Sequence, residues 1–115
     1  MKKLGILLMM IAVLACSAPA FPNPSGLTAA NTTVTMTSAN TEYSWTIPNG
    51  VAAFTVKCRG AYDVKCAFTS GASGTTYFTI PSGSTYYETN VSSYGNVLYM
   101  QCATAAQVME IIYWI

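Results

Sequence analysis

Polar and apolar residues alternate with a period of two along most of this chain after residue 30. Side chains on a strand point to opposite faces in turn, so this period predicts half-buried strands. Thr32 to Thr37 places Val34 and Met36 on one face. Tyr43, Trp45 and Ile47 alternate with Ser44 and Thr46, and Pro48-Asn49-Gly50 supplies a turn. Phe54, Val56 and Cys58 alternate with Thr55, Lys57 and Arg59. Gly60 and Ala61 reverse the chain, predicting a hairpin to Val64, Cys66 and Phe68, which alternate with Asp63, Lys65 and Ala67. Tyr77 to Ile80, Tyr86 to Asn90, Val97 to Cys102 and Val108 to Ile115 follow as further strands. The last is apolar on both faces, which suits a central strand or a face that meets a partner subunit.

The spacing of these segments predicts an all-β fold, a small antiparallel β-sandwich or jelly roll of about eight strands. No segment after residue 20 has sustained helical spacing. A membrane barrel is excluded by strand length and number together, since eight tilted strands of about ten residues each would not fit in this chain.

The first 20 residues follow a different pattern. Lys2 and Lys3 precede an apolar run from Leu4 to Ala15, and small residues follow through Cys16-Ser17-Ala18-Pro19-Ala20. This is the order of a secretory signal, and the run is shorter than the ~20 residues a spanning helix needs. Ala18-Pro19-Ala20 fits ordinary cleavage. Val13-Leu14-Ala15-Cys16 resembles a lipobox, which would make Cys16 a lipidated N-terminus and a membrane tether. The predicted organisation is a signal over 1–20, a Pro/Ser-rich tether over 16–30 and a β-sandwich domain over 31–115. The predicted location is an outer-membrane or cell-surface lipoprotein or a secreted protein, with virion association as the alternative.

Charge removes several function classes. Without the signal, Lys57, Arg59 and Lys65 stand against Glu42, Asp63, Glu88 and Glu110, a net charge of −1. No basic patch offers a nucleic-acid footprint. The chain has no histidine, which removes the commonest general base and the usual partner of a Ser or Cys nucleophile. The four carboxylates are scattered, and Asp63 and Glu110 would act as a hydrolytic pair only if the fold joined them. The sequence therefore predicts a non-enzymatic protein without a cofactor. Gly71 to Thr76 is glycine-rich but precedes a strand, so it reads as a connection and not as a phosphate loop. Asn31-Thr32-Thr33 and Asn90-Val91-Ser92 match the glycosylation acceptor pattern, which a bacterial signal makes coincidental.

Cys58, Cys66 and Cys102 lie in the body of the domain. In an oxidising compartment the expectation is one bridge and one spare thiol, with Cys58–Cys66 across the predicted hairpin favoured and Cys66–Cys102 second. The competing reading makes all three small buried hydrophobes. Three cysteines with no CxxC and no histidine do not give zinc spacing.

Contact chemistry is concentrated in tyrosine: Tyr62, Tyr77, Tyr86, Tyr87, Tyr94 and Tyr99. Tyrosine offers rigid amphipathic contact area and is enriched at interfaces. Tyr86 and Tyr87 are adjacent, so one must point outward. Arg59, with Asp63 and Lys65 around Gly60, makes either a polar contact site or an ordinary solvated turn. The candidate contact residues are Tyr86, Tyr87, Tyr94 and Arg59. The partners they suit are a second copy, a host or virion surface protein, or a glycan stacked on the tyrosines.

From Ile47 onward, a string of turns and strand faces is similar to a known group. Ile47-Pro48-Asn49-Gly50, Phe54-Thr55-Val56, Arg59-Gly60, Asp63-Val64-Lys65 and Ala67-Phe68-Thr69 begin it. Ser73-Gly74-Thr75, Thr79-Ile80, Leu98-Tyr99, Ala103-Thr104-Ala105 and Glu110-Ile111-Ile112 continue it. The pattern resembles small β-sandwich structural proteins of tailed bacteriophages and prophages. The resemblance implies a structural or assembly role through contacts between copies or with a host surface. The export signal sets this chain apart from that group, and a phage-derived domain carried to a cell surface reconciles the two.

Overall fold

A computed structural model describes residues 26–91 and 95–115. The described residues form eight strands: β1 (Ala29–Met36), β2 (Tyr43–Thr46), β3 (Ala53–Cys58), β4 (Val64–Ala67), β5 (Phe78–Ile80), β6 (Thr85–Thr89), β7 (Val97–Cys102) and β8 (Gln107–Trp114). Most coincide with a segment of period two, and β8 with the segment apolar on both faces. β-branched and aromatic residues dominate them, as a pleated half-buried surface favours.

The chain folds as a ribbon turned back on itself. β1 pairs with β8, β2 with β7, β3 with β6 and β4 with β5, all antiparallel. Wrapping this ribbon adds the β3–β8 and β4–β7 ladders. The two four-stranded sheets have the orders β1-β8-β3-β6 and β2-β7-β4-β5. This arrangement is a double-sheet jelly roll. β8 is central, between β1 and β3, as its two apolar faces predict.

The core lies between the sheets. Met36, Phe54, Val56, Met109 and Ile111 come from one sheet, and Trp45, Val64, Cys66, Leu98, Met100 and Cys102 from the other. Each large side chain contributes about 1.5–3 kcal/mol by leaving water. Trp45 meets Phe54 edge-on across the core at 5.3 Å between ring centroids. Pro48-Asn49-Gly50 turns as predicted, with Gly50 at a φ of 86°, a conformation in which glycine has no Cβ penalty.

Two expectations are corrected. The hairpin predicted between Cys58 and Cys66 does not form, because β3 and β4 belong to different sheets and the chain between them crosses the sandwich. Cys58, Cys66 and Cys102 are buried free thiols, so the geometric reason for a Cys58–Cys66 bridge is gone. The β-sandwich also begins before residue 31. Thr28 and Ile115 exchange backbone hydrogen bonds of 2.7 and 3.0 Å, and Ala29 and Ala30 continue the ladder. Their own sequence carries no strand pattern; pairing with the strongly apolar β8 recruits them.

Candidate functional site

The two sheets differ in what covers their outward faces. On the β2-β7-β4-β5 sheet, the connection from β4 to β5 folds back over the strands. Ser73 in that connection is fully buried. A Cβ added at Gly74 would stand 3.3 Å from the side-chain nitrogen of Gln101, an outward residue of β7. Glu42 ties the loop down: its carboxylate accepts the Gly71 N–H at 2.8 Å, the Ser73 N–H at 3.2 Å and the Ser73 hydroxyl. Those bonds, the Ser73 hydroxyl first, hold the Glu42 carboxyl below its ordinary range.

The outward face of the β1-β8-β3-β6 sheet carries no described loop. Register places its side chains in cross-strand rows. One row runs Asn31, Ile112, Thr55, Tyr87. The next runs Thr33, Glu110, Lys57, Thr85. Arg59 follows Lys57 on the same face, beside Val108. Ile112 is 46% exposed and Tyr87 58% exposed. A depression of about 450 Å³ lies over these rows.

Glu110 is the electrostatic centre of the depression. Its Oε1 accepts a hydrogen bond from Arg59 Nε at 2.8 Å, and Lys57 Nζ lies 3.3 Å from its Oε2. Arg59, then Lys57, hold its carboxyl below the usual range, so it is an anion at neutral pH. Both cations remain largely exposed and keep donors for a ligand. Asn31 and the hydroxyls of Thr33, Thr55 and Thr85 add donors and acceptors of both kinds.

The predicted contact residues are dispersed by this geometry. Tyr87 points outward into the open face. Tyr86 points inward, its ring 4.7 Å from Phe78 and 6.2 Å from Phe54, and its hydroxyl donates to Glu88. Burial, with that bond, pushes the Tyr86 hydroxyl up to about 12. Tyr86 and Tyr87 therefore share no surface and form no joint platform. Tyr94 and Cys16 lie outside the described residues. Arg59 does reach the site, but through Glu110 and not through its predicted neighbours. Asp63 instead accepts the Ser82 N–H at 2.7 Å, and Lys65 lies 4.7 Å from the Tyr77 ring centroid. Asp63 and Glu110 thus serve separate partners. Among the described residues, no group of His, Cys, Asp and Glu has the geometry to hold a metal ion.

Sequence reasoning missed Glu110, Lys57 and Ile112 as members of one surface. The signal was the phase of β8: Glu110 and Ile112 alternate with buried Met109 and Ile111. Comparison with protein-family models, curated proteins and solved structures finds no match to this chain. The class the geometry defines is a small jelly roll with one sheet face partly covered by a tied loop and the other open.

Proposed function

We propose that this protein is an exported, non-enzymatic structural or interaction module of phage-like ancestry, working through contacts made by the open face of the β1-β8-β3-β6 sheet. One observation carries the reading. Tyr87 and Ile112 lie exposed in one cross-strand row beside the Lys57–Glu110–Arg59 cluster, while a tied loop lies over part of the opposite sheet at Gln101. Aromatic and Arg anchors in a partly apolar surface are the usual carriers of contact energy. Jelly rolls build viral capsid and lectin domains alike, so the fold permits both partner types and the surface must decide.

A second reading is glycan binding at the same face. The depression favours it, because a carboxylate, two cations, an amide and threonine hydroxyls line it, and the exposed Tyr87 pairs with Thr55 at its edge. Sugars need both a stacking face and paired donors and acceptors. Tyr87 takes the stacking role in this reading, without Tyr86.

The test is binding of the labelled protein to intact bacterial cells and to a glycan array, with Tyr87→Ala and Glu110→Gln beside it. Cell binding lost in both variants, without an array signal, supports a protein contact. An array signal lost in both supports the glycan reading. Binding unchanged in both variants, or no binding to either target, overturns the assignment of this face. The predicted export and Cys16 tether are tested by intact mass: a chain beginning at Cys16 with acyl groups, in the membrane fraction, is the expected product.

A further inference from the structure

We infer that the free edge of β1 is a strand-addition site for a second copy of this chain, closing two jelly rolls into a two-fold dimer with one continuous sheet. The inference concerns the sheet edge and goes beyond the proposed contact face, which a monomer would keep.

Ladder geometry identifies the groups on offer. Thr28 and Ile115 exchange both of their backbone hydrogen bonds, so they are a bonded pair of the β1–β8 ladder. Bonded and non-bonded pairs alternate along an antiparallel ladder. Ala30, Thr32, Val34 and Met36 therefore turn their N–H and C=O groups toward β8. Ala29, Asn31, Thr33 and Thr35 turn theirs off the sheet. No described residue pairs with that side of β1.

The four sheet edges are not equally protected. β2 has four residues and β5 has three, and short edge strands offer little to pair with. β6 has five and carries Glu88 on its inward side, a charge that opposes pairing. β1 has eight residues in unbroken register, Ala29-Ala30-Asn31-Thr32-Thr33-Val34-Thr35-Met36, with no charge and no proline. An edge of that length and composition is what native sheets normally avoid.

The strand is also complementary to itself. A two-fold axis at Thr33 sets Thr33 against Thr33 of the second copy, Asn31 against Thr35, and Thr32 against Val34. Those edge-directed residues then supply about six new backbone hydrogen bonds. Threonine pairs are favourable across strands, and no like charges oppose each other. The nearest carboxylates, Glu110 and its copy, stand about 14 Å apart at three strand spacings, each with its own two cations. The pairing is isologous and uses up the β1 edge, so it stops at two.

The full chain, expressed behind its own signal, is taken through sedimentation velocity from about 1 to 100 µM. A concentration-dependent dimer is expected. Thr33→Pro should give a folded monomer whose melting temperature no longer depends on concentration, because the Thr33 N–H points away from β8 and proline is tolerated there. Thr33→Lys and Thr33→Glu should each be monomeric, and an equal mixture of the two should dimerise again. A wild-type monomer across the whole range overturns the inference. So does a dimer that survives Thr33→Pro, or two charge variants whose mixture stays monomeric.

Discussion

Glu42 and Ser73 lie 31 residues apart in the chain, and the carboxylate of one receives both the backbone N–H and the hydroxyl of the other. Ser73 is fully buried in the loop that covers the β2-β7-β4-β5 sheet. Ser73→Ala removes one donor to a charged acceptor and should lower stability by about 1–2 kcal/mol. For a domain of this size that is a fall in Tm of several degrees. Hydrogen exchange should show the amides of Gly71 and Ser73 losing protection while those of β7 keep it. Equal exchange in both proteins would mean that the loop is held by packing alone.

The same carboxylate makes stability depend on acid. Glu42 and Glu110 both have folded pKa values below the ordinary 4.5. A lowered folded value means stability that is present above 4.5 and lost as pH falls through the folded values. Urea midpoints should be level from neutral pH down to about 5 and then decline. Glu42→Gln should start from a lower midpoint and decline less steeply. Salt should weaken the contribution of Glu110, whose partners Lys57 and Arg59 are exposed, more than that of Glu42. A midpoint that rises on acidification would contradict both assignments.

The buried thiols should be silent while the domain is folded. Burial pushes the Cys66 thiol up to about 12, and burial raises Cys58 also. At pH 8 Cys66 stays a thiol, and thiolate is the reactive form. A maleimide should therefore label Cys66 in native protein only as fast as the domain opens. All three core cysteines should label at once in denaturant. Prompt native labelling of Cys66 would place it at the surface.

Much of this architecture is legible in the residues, and the gaps have physical causes. Alternation located most of the strands, and the two apolar faces of Val108 to Ile115 placed β8 in the middle of its sheet. Alternation says nothing of which strands pair, so Gly60 and Ala61 read as a hairpin although β3 and β4 separate into different sheets. The cysteine bridge was inferred from that hairpin and lost its geometric basis with it. Tyr86 and Tyr87 were correctly opposed, since neighbours on a strand must point apart. Glu110 stayed hidden because its partners Lys57 and Arg59 are more than 50 residues away in sequence. Such a cluster exists only once β3 and β8 are in register.

Phe54 offers the sharpest test of how the two sheets are held together. It is fully buried on β3, it meets Trp45 of the opposite sheet edge-on at 5.3 Å, and its ring lies 6.2 Å from Tyr86. Phe54→Ala removes the transfer energy of the ring and leaves a cavity between sheets, at a cost of about 3–5 kcal/mol. A domain of this size has only about 5–10 kcal/mol in total. The variant should therefore melt far below the parent or accumulate unfolded. Phe54→Leu fills more of the space and should cost clearly less. Trp45 provides the readout: it is 8% exposed in the fold and should shift its emission to the red as the sheets part. If Phe54→Ala instead left both the midpoint and the emission unchanged, the inter-sheet contact of Phe54 and Trp45 would not be what holds this end of the sandwich closed.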